Sequence, residues 1–368
     1  MSYPRNLKLL LTTRAIADGG AERVWLAIAR RFAAAGVEVI LAIDDPSTPC
    51  GLDETTNPRL VGIGRSHPKG MLALARLLRR ERPDVAMAAV SGSCSKLAAA
   101  ALLARTRTPL VLSYHGFEEW RTGRLAATAY LGLPIANRVA ARIVAVSDGL
   151  CRCLTERWGA DPAKTSRIYN PVSLDLDAAA ASAGDLSTRD PIVTAIGRLS
   201  AEKGMIDLLE AFARVRRPEA RLKIGGEGPE RARLEARAAE LGIAGRTTFL
   251  GQVDPVEHYR RTRVVAIPSR TEAFGLVVGE ALAHGLPIVA TDCDGPREIL
   301  GEGRWGRLVP IGDAEAMARA LEDALDDPGR PDDRILRAAD FSLETGFEAW
   351  SRLIEGIVAE RGFASTRT

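Results

Sequence analysis

Short apolar runs alternate along this chain with segments whose apolar residues recur at helical spacing. Residues 7–13 read as a strand, Asp18, Gly19 and Gly20 as a tight turn, and residues 21–35 as a helix with Val24, Ile28 and Phe32 on one face. Gly36 caps that helix before a strand at 37–43, and further strands are predicted at 85–90, 110–114 and 142–147. Strands alternating with helices in this way predict a parallel, doubly wound sheet. Between Ser173 and Asp190, after an Asn170-Pro171 breaker, the pattern dissolves into Asp, Ala, Ser, Gly and Thr, and the stretch reads as an interdomain linker. Alternation then restarts, with strands at 192–196, 221–224, 247–250, 264–267 and 288–291. The expected architecture is α/β, with two Rossmann-like doubly wound domains (residues 1–172 and 191–342) facing across a cleft. A terminal segment, 343–368, begins with a helix carrying Phe347, Trp350, Leu353 and Ile354 that is long enough to cross back to the first domain.

One βαβ unit of the second half holds two carboxylates eight residues apart, Glu272 and Glu280. The β-branched run 264–267 is stopped by Pro268 and Ser269, and a loop then carries Glu272. Gly275 opens a helix at 276–284, with Gly285 as its C-cap and Pro287 just beyond. In such units ligands bind where strand C-termini face helix N-termini. Glu272 is expected at the strand's carboxyl edge, and Glu280 inside the helix about a turn and a half past Gly275. The amides of Phe274, Gly275 and Leu276 are donors at a helix start, where the dipole favours an anion such as phosphate. A carboxylate beside an anion site suits vicinal sugar hydroxyls, because it can accept two hydrogen bonds from a diol. Spacing alone fits equally a solvated Glu272 and a Glu280 paired with an arginine.

Other loops converge on the same predicted edge. Arg198 and Lys203 lie between the strand at 192–196 and a helix with Met205, Leu208, Leu209 and Phe212 on one face. Two cations there could neutralise a diphosphate, the arginine by a forked contact and the lysine as a point charge. Gly225, Gly226 and Gly228 end another strand in a loop that a ligand can approach closely, and Gly251 and Val253 end a third. Gly301, Gly303 and Gly306 match a dinucleotide-binding spacing but do not link a strand to a helix, which that fingerprint requires. Asp292 and Asp294 form a D-x-D in a Gly/Pro turn, with Glu298 the nearest third carboxylate, a poor set for Mg²⁺.

Composition narrows the class. At 368 residues the chain suits two domains, and 46% hydrophobic with 26% charged residues describes a globular protein. A net charge of +3 gives nucleic-acid binding no support. Arg76, Arg79, Arg80 and Arg82 nevertheless cluster on a predicted helix, and Arg121, Arg124, Arg138 and Arg142 bracket an apolar stretch. Such segments suit an anionic membrane surface, or simply a solvated helix face. The longest apolar candidate, 97–104, is far short of the ~18 residues of a spanning helix, and the leucines of 7–11 are too few for a signal peptide. The expected location is cytoplasmic, with the inner membrane face as a peripheral partner. Five cysteines argue against a disulfide framework, and Cys151 with Cys153 lacks a second pair to complete a metal site.

Taken in order, Gly197-Arg198 with Lys203-Gly204, the glycine loop 226–229, the Glu272/Glu280 pair and the Gly295-to-Leu300 motif resemble family-four retaining glycosyltransferases of GT-B fold, the bacterial group 1 type. The first half is similar too, in Gly19 to Arg23, Tyr114-His115-Gly116, Val146-Ser147 and Ile168 to Val172. The resemblance implies that Arg198 and Lys203 hold the donor diphosphate, that Glu280 binds ribose hydroxyls and Glu272 the transferred sugar, and that Phe274, Gly275 and Leu276 lend amides. It further implies that His115 contacts the sugar near its reacting carbon, that Gly20 closes on the donor from the first domain, and that Val253 and Gly226 line the donor site. The implied reaction moves a hexose or N-acetylhexosamine, with retention, from a nucleotide-diphosphate sugar, commonly UDP-linked, to a hydroxyl of a glycan or lipid-linked acceptor. No cofactor and no metal are implied. Two other classes share the scaffold: nucleotide-sugar epimerases, which need an acid/base set that four histidines at 67, 115, 258 and 284 do not provide, and non-catalytic binders, which would be expected to have lost one of the charged residues present here.

Overall fold

Every pairing between named strands is parallel, and the strands fall into two sheets. The computed structural model describes residues 7–16, 19–46, 52–53, 55–119, 124–172 and 174–365. Asp18 of the predicted turn, Arg121 of the arginine group, Ser173 at the linker start and residues 366–368 lie outside them. The chain divides into two compact units, Met1–Ser173 with Leu343–Thr368, and Leu174–Ser342.

The first unit contains β1 (Lys8–Thr13), β2 (Glu38–Ile43), β3 (Arg59–Gly62), β4 (Val85–Ala89), β5 (Leu110–Tyr114), β6 (Ala140–Ala145) and β7 (Thr165–Arg167). Their order in the sheet is β3-β2-β1-β4-β5-β6-β7. The helices are α1 (Gly20–Ala34), α2 (His67–Glu81), α3 (Ser91–Ala104), α4 (Arg124–Leu131), α5 (Leu133–Val139) and α6 (Asp148–Arg152). Strands β4 and β5 are buried along their whole length, as parallel strands covered on both faces must be. On α1 the predicted stripe Val24, Ile28 and Phe32 faces inward, joined by Trp25, whose indole N–H donates to the Thr12 carbonyl at 3.2 Å.

In the second unit β8 (Ile192–Ile196), β9 (Arg221–Gly225), β10 (Thr247–Gly251), β11 (Val264–Ile267), β12 (Ile288–Thr291) and β13 (Arg307–Val309) are ordered β10-β9-β8-β11-β12-β13. The helices are α7 (Leu176–Ala181), α8 (Met205–Phe212), α9 (Arg231–Glu240), α10 (Pro255–Tyr259), α11 (Leu276–Ala283), α12 (Asp294–Ile299), α13 (Ala314–Asp326) and α14 (Pro331–Ala338). Leu208, Leu209 and Phe212 of α8 meet Met317, Leu321 and Leu325 of α13 in one core with Val193, Leu222 and Ile224 of the sheet. Helix α15 (Leu343–Ser365) belongs to the first unit and packs on α1. Phe347 meets Phe32 edge-on at 5.0 Å, Trp350 meets Trp25 at 5.1 Å, and Arg31 forks onto Glu344 at 2.6 and 2.9 Å.

Three strands escaped the apolar pattern. Each of β3, β7 and β13 lies at a sheet edge, is three or four residues long and carries an arginine, so none holds more than two consecutive apolar residues. The stretch without periodicity also acquires structure, in α7 and a 3₁₀ turn at Leu186–Thr188. Arg189 holds it to the second unit by donating to the carbonyls of Ser182, Ala183, Tyr259 and Thr262. A single guanidinium satisfying four carbonyls does there what apolar burial does elsewhere.

Candidate active site

In the second unit β8 is central, and strands are added first on one side of it and then on the other. The loops leaving the neighbours β8 and β11 therefore diverge, and a crevice opens at their carboxyl ends. After β8 the chain runs through Arg198 and a 3₁₀ turn, Ala201–Lys203, to Gly204, the N-cap of α8. Gly204 sits at φ 63°, and the Pro268 carbonyl leaves no space for a side chain there. That close approach joins the two loops. Arg270 braces it, its main-chain N–H donating to the Glu202 carbonyl at 2.8 Å and its guanidinium forking onto Asp207 at 3.0 and 2.8 Å.

The result is direct contact between two of the predicted residues. The Lys203 ammonium donates to the Glu272 carboxylate, and the two side chains are only 25% and 18% exposed. Glu272 is held from behind as well, its carbonyl accepting the Gly295 N–H at 2.9 Å. A Cβ at position 295 would stand 2.7 Å from the Phe274 main-chain nitrogen, so only glycine lets the 272–275 loop settle on α12.

Gly275 is the N-cap of α11, and no side chain caps the amides that follow, from Leu276 onward. One turn on, Glu280 is 8% exposed and its carboxylate accepts the Tyr259 hydroxyl at 3.2 Å. His284 closes the helix, with Nδ1 2.9 Å from the Glu280 carbonyl; burial holds this imidazole below its usual pKa. The helix ends at Ala283 with His284 as C-cap, so Gly285, the predicted cap, lies one position beyond the observed one, at φ 64°. On the other side of β8, the Gly226 N–H donates to the Gly251 carbonyl at 2.7 Å, and the Val253 methyl covers Gly225. The Arg198 side chain is exposed and has no hydrogen-bond or ion-pair partner among the described residues.

Arg198, Lys203, Gly226, Val253, Glu272, Phe274, Gly275, Leu276 and Glu280 thus share one edge of the second unit. Gly20 and His115 belong to the first. Gly20 begins α1. His115 follows β5, its Nε2 3.0 Å from the Ser113 hydroxyl and its ring edge-on to Trp25 at 6.4 Å. Burial pushes the imidazole down to about 4, against the pull of the Asn170 side chain, so it is neutral at physiological pH and acts as a hydrogen-bonding group. Its Nδ1 is buried, with no partner at hydrogen-bonding geometry among the described residues.

The rejected motifs have other roles. Asp292 forks with Arg297 at 2.6 and 2.7 Å, and Asp294 begins α12, so the D-x-D expected in a turn is a helix start. Residues 301–306 are turns between α12 and β13. Among the described residues no group of three or more His, Cys, Asp or Glu side chains is placed to hold a metal ion. Three residues the sequence did not single out matter here: Tyr259, Arg270 and Glu119. None sits in a recognisable spacing, and only the tertiary structure brings each to its partner.

Two parallel sheets of dinucleotide-binding topology, one carrying cations, carboxylates and an uncapped helix start at its switch point, define a doubly wound α/β protein. Residues 18–176 match the model described as Glycosyltransferase Family 4, and residues 180–340 the model described as Glycosyl transferases group 1. The chain belongs to this family of glycosyltransferases. A stretch of 138 residues, 37% of this chain and 40% of the relative, is 38% identical to the lipopolysaccharide core biosynthesis glycosyltransferase LpsE of Rhizobium meliloti. The matches cover 40% to 57% of the length of the first curated relatives. Sucrose-phosphate synthase from Thermosynechococcus elongatus superposes with a TM-score of 0.81 at 22% identity, over 96% of this chain and 100% of that one. Anabaena HepE in complex with UDP-glucose gives 0.79 at 21% identity, over 95% and 100%. These structures share the fold of two doubly wound α/β domains read from the sequence.

Proposed function

We propose that the protein is a retaining glycosyltransferase that moves a hexose or N-acetylhexosamine from a UDP-linked donor to a hydroxyl of a glycan or lipid-linked acceptor, in the synthesis of cell-surface polysaccharide or glycolipid. The observation that carries this reading is the contact of Lys203 with Glu272 at the switch point, flanked by the Arg198 guanidinium, which has no partner among the described residues, and by the uncapped start of α11. Cations and helix dipole suit the charge that builds on a departing diphosphate. Glu272 and Glu280 suit the hydroxyls of the transferred sugar and the ribose, as binding groups and not as the acid/base pair of a hydrolase. His115, neutral, suits a hydroxyl near the reacting carbon. The names of a lipopolysaccharide-core relative and of a neighbour holding UDP-glucose support the substrate classes.

With two cations at the diphosphate, transfer needs no metal. Among nucleotide sugars tested singly, the true donor at 100 times its dissociation constant is expected to stabilise the protein by ~2.7 kcal/mol, read as a thermal shift, and transfer from it is expected to persist in EDTA. No shift with any nucleotide sugar sinks the reading, and strict dependence on Mg²⁺ or Mn²⁺ sinks its metal-free part.

A membrane-borne acceptor fits the surface of the first unit. Leu72, Leu102, Leu103, Leu131 and Ile135 are exposed on α2 to α5, with the exposed arginines Arg76, Arg80 and Arg105 among them. No helix among the described residues is long and apolar enough to cross a membrane. Co-sedimentation is expected with anionic vesicles and not with neutral ones; indifference to both would remove the membrane from the proposal.

A further inference from the structure

The first unit repeats the topology of the second, with its own switch point between β1 and β4. Val90, the residue between β4 and α3, is held at φ 64°. A β-branched side chain adopts that left-handed value only where its surroundings impose it. The next residue, Ser91, starts α3, and both its N–H and its hydroxyl bond to the Glu119 carboxylate, the N–H reaching Oε2 at 2.8 Å. The main-chain N–H of His115 bonds to the same carboxylate. One side chain thus gathers three donors from two places, the β4–α3 junction and the turn after β5. The turn is closed from its other side by the Tyr130 hydroxyl, which donates to the Gly116 carbonyl.

We propose that Glu119 is the positioning residue for His115: as a carboxylate it ties the His115 turn to the start of α3 and fixes where the imidazole stands. The inference rests on the reading of His115 as a sugar contact. Three donors favour the anion, but burial outweighs them and pushes the carboxyl up to about 7, with the nearby Glu22 carboxylate of α1 acting in the same direction. Around it, burial pushes Cys94 of α3, Tyr114 of β5 and Tyr130 of α4 up, where they stay neutral, and pushes His115 down to about 4. Arg14 lies 3.6 Å from Glu22 and is 60% exposed. Of the groups that burial shifts here, Glu119 is the one that changes charge near neutrality. Protonation turns one carboxylate oxygen into an O–H donor and weakens the group as an acceptor, so its hold on the surrounding donors slackens. The tie therefore holds above pH ~7 and loosens below it.

The test follows the His115 imidazole by NMR in the whole protein, its signal assigned by its loss in His115→Asn. The native signal is expected to show an inflection near pH 7, well above the ring's own titration. Glu119→Gln, which keeps an acceptor oxygen but cannot titrate, is expected to abolish that inflection. Ser91→Ala, which removes one donor from the anion, is expected to move it to higher pH. In parallel, native kcat is expected to fall about tenfold per pH unit below 7, and Glu119→Gln to lose this acid limb while its affinity for UDP stays native. An inflection that persists unchanged in Glu119→Gln, or none in the native protein, overturns the proposal. Because the NMR signal needs no turnover, it decides the matter even if no nucleotide sugar proves to be a donor.

Discussion

Lys203→Ala is expected to lower kcat for the nucleotide-sugar donor roughly 10²–10³-fold, the effect of removing one preorganised group that stabilises charge in the transition state. The fold should survive. Lys203 lies on a loop, and the contacts that hold the loop, Gly204 on Pro268 and Arg270 on Asp207, do not involve its side chain. What the substitution does leave behind is a Glu272 carboxylate 18% exposed and without its cation. The double variant with Glu272→Ala separates the two roles of that pair. If the residues serve only each other, removing both restores the site; if each contacts the donor, the losses persist in the double variant. Steady-state kinetics at saturating donor decides between them. Native-like turnover in Lys203→Ala would remove the diphosphate role.

Glu280→Ala is expected to weaken UDP binding roughly 10- to 100-fold, because a hydrogen bond to a charged group is worth about 1.5–3 kcal/mol. Calorimetric titration with UDP alone measures it, since the contact proposed is with ribose and not with the transferred sugar. Some loss of stability accompanies the change: the buried Tyr259 hydroxyl loses its acceptor, a cost of about 1–3 kcal/mol. Tyr259→Phe is the control, because it removes the hydroxyl and leaves the carboxylate in place. Unchanged UDP affinity in Glu280→Ala would sink the ribose assignment.

The parts of this molecule that were legible in the sequence are those where burial dictates residue type. Val264 to Ile267 and Ile288 to Thr291 appear as strands at the positions read from their β-branched runs, because a central parallel strand is apolar on both faces. The placing of Lys203 and Glu272 on one edge followed from the alternation of strands and helices, since every loop after a parallel strand emerges on the same side. Their mutual contact did not, because it depends on how closely two loops approach, and that is set by the space a glycine leaves beneath Pro268. Glu280 had two open readings, diol or arginine, and neither pointed to Tyr259, whose hydroxyl reaches its carboxylate from a five-residue helix that the apolar pattern does not mark. Glu119 was hidden for a similar reason. Its partners Ser91 and His115 lie 28 and four residues before it, and only the neighbouring positions of β4 and β5 in the sheet bring them to one carboxylate.

The edge strands have a consequence for how the protein behaves among its neighbours. An outermost strand offers unpaired N–H and C=O groups to any extended chain, and long, flat, apolar edges recruit further strands and aggregate. Here β7 and β13 are three residues long with Arg167 and Arg307, β3 carries Arg59, and β10 breaks register between Phe249 and Gly251. All four are too short, too charged or too irregular to template another strand. The brevity that kept β3, β7 and β13 out of the hydrophobic pattern also keeps two wide parallel sheets from sticking to their own copies.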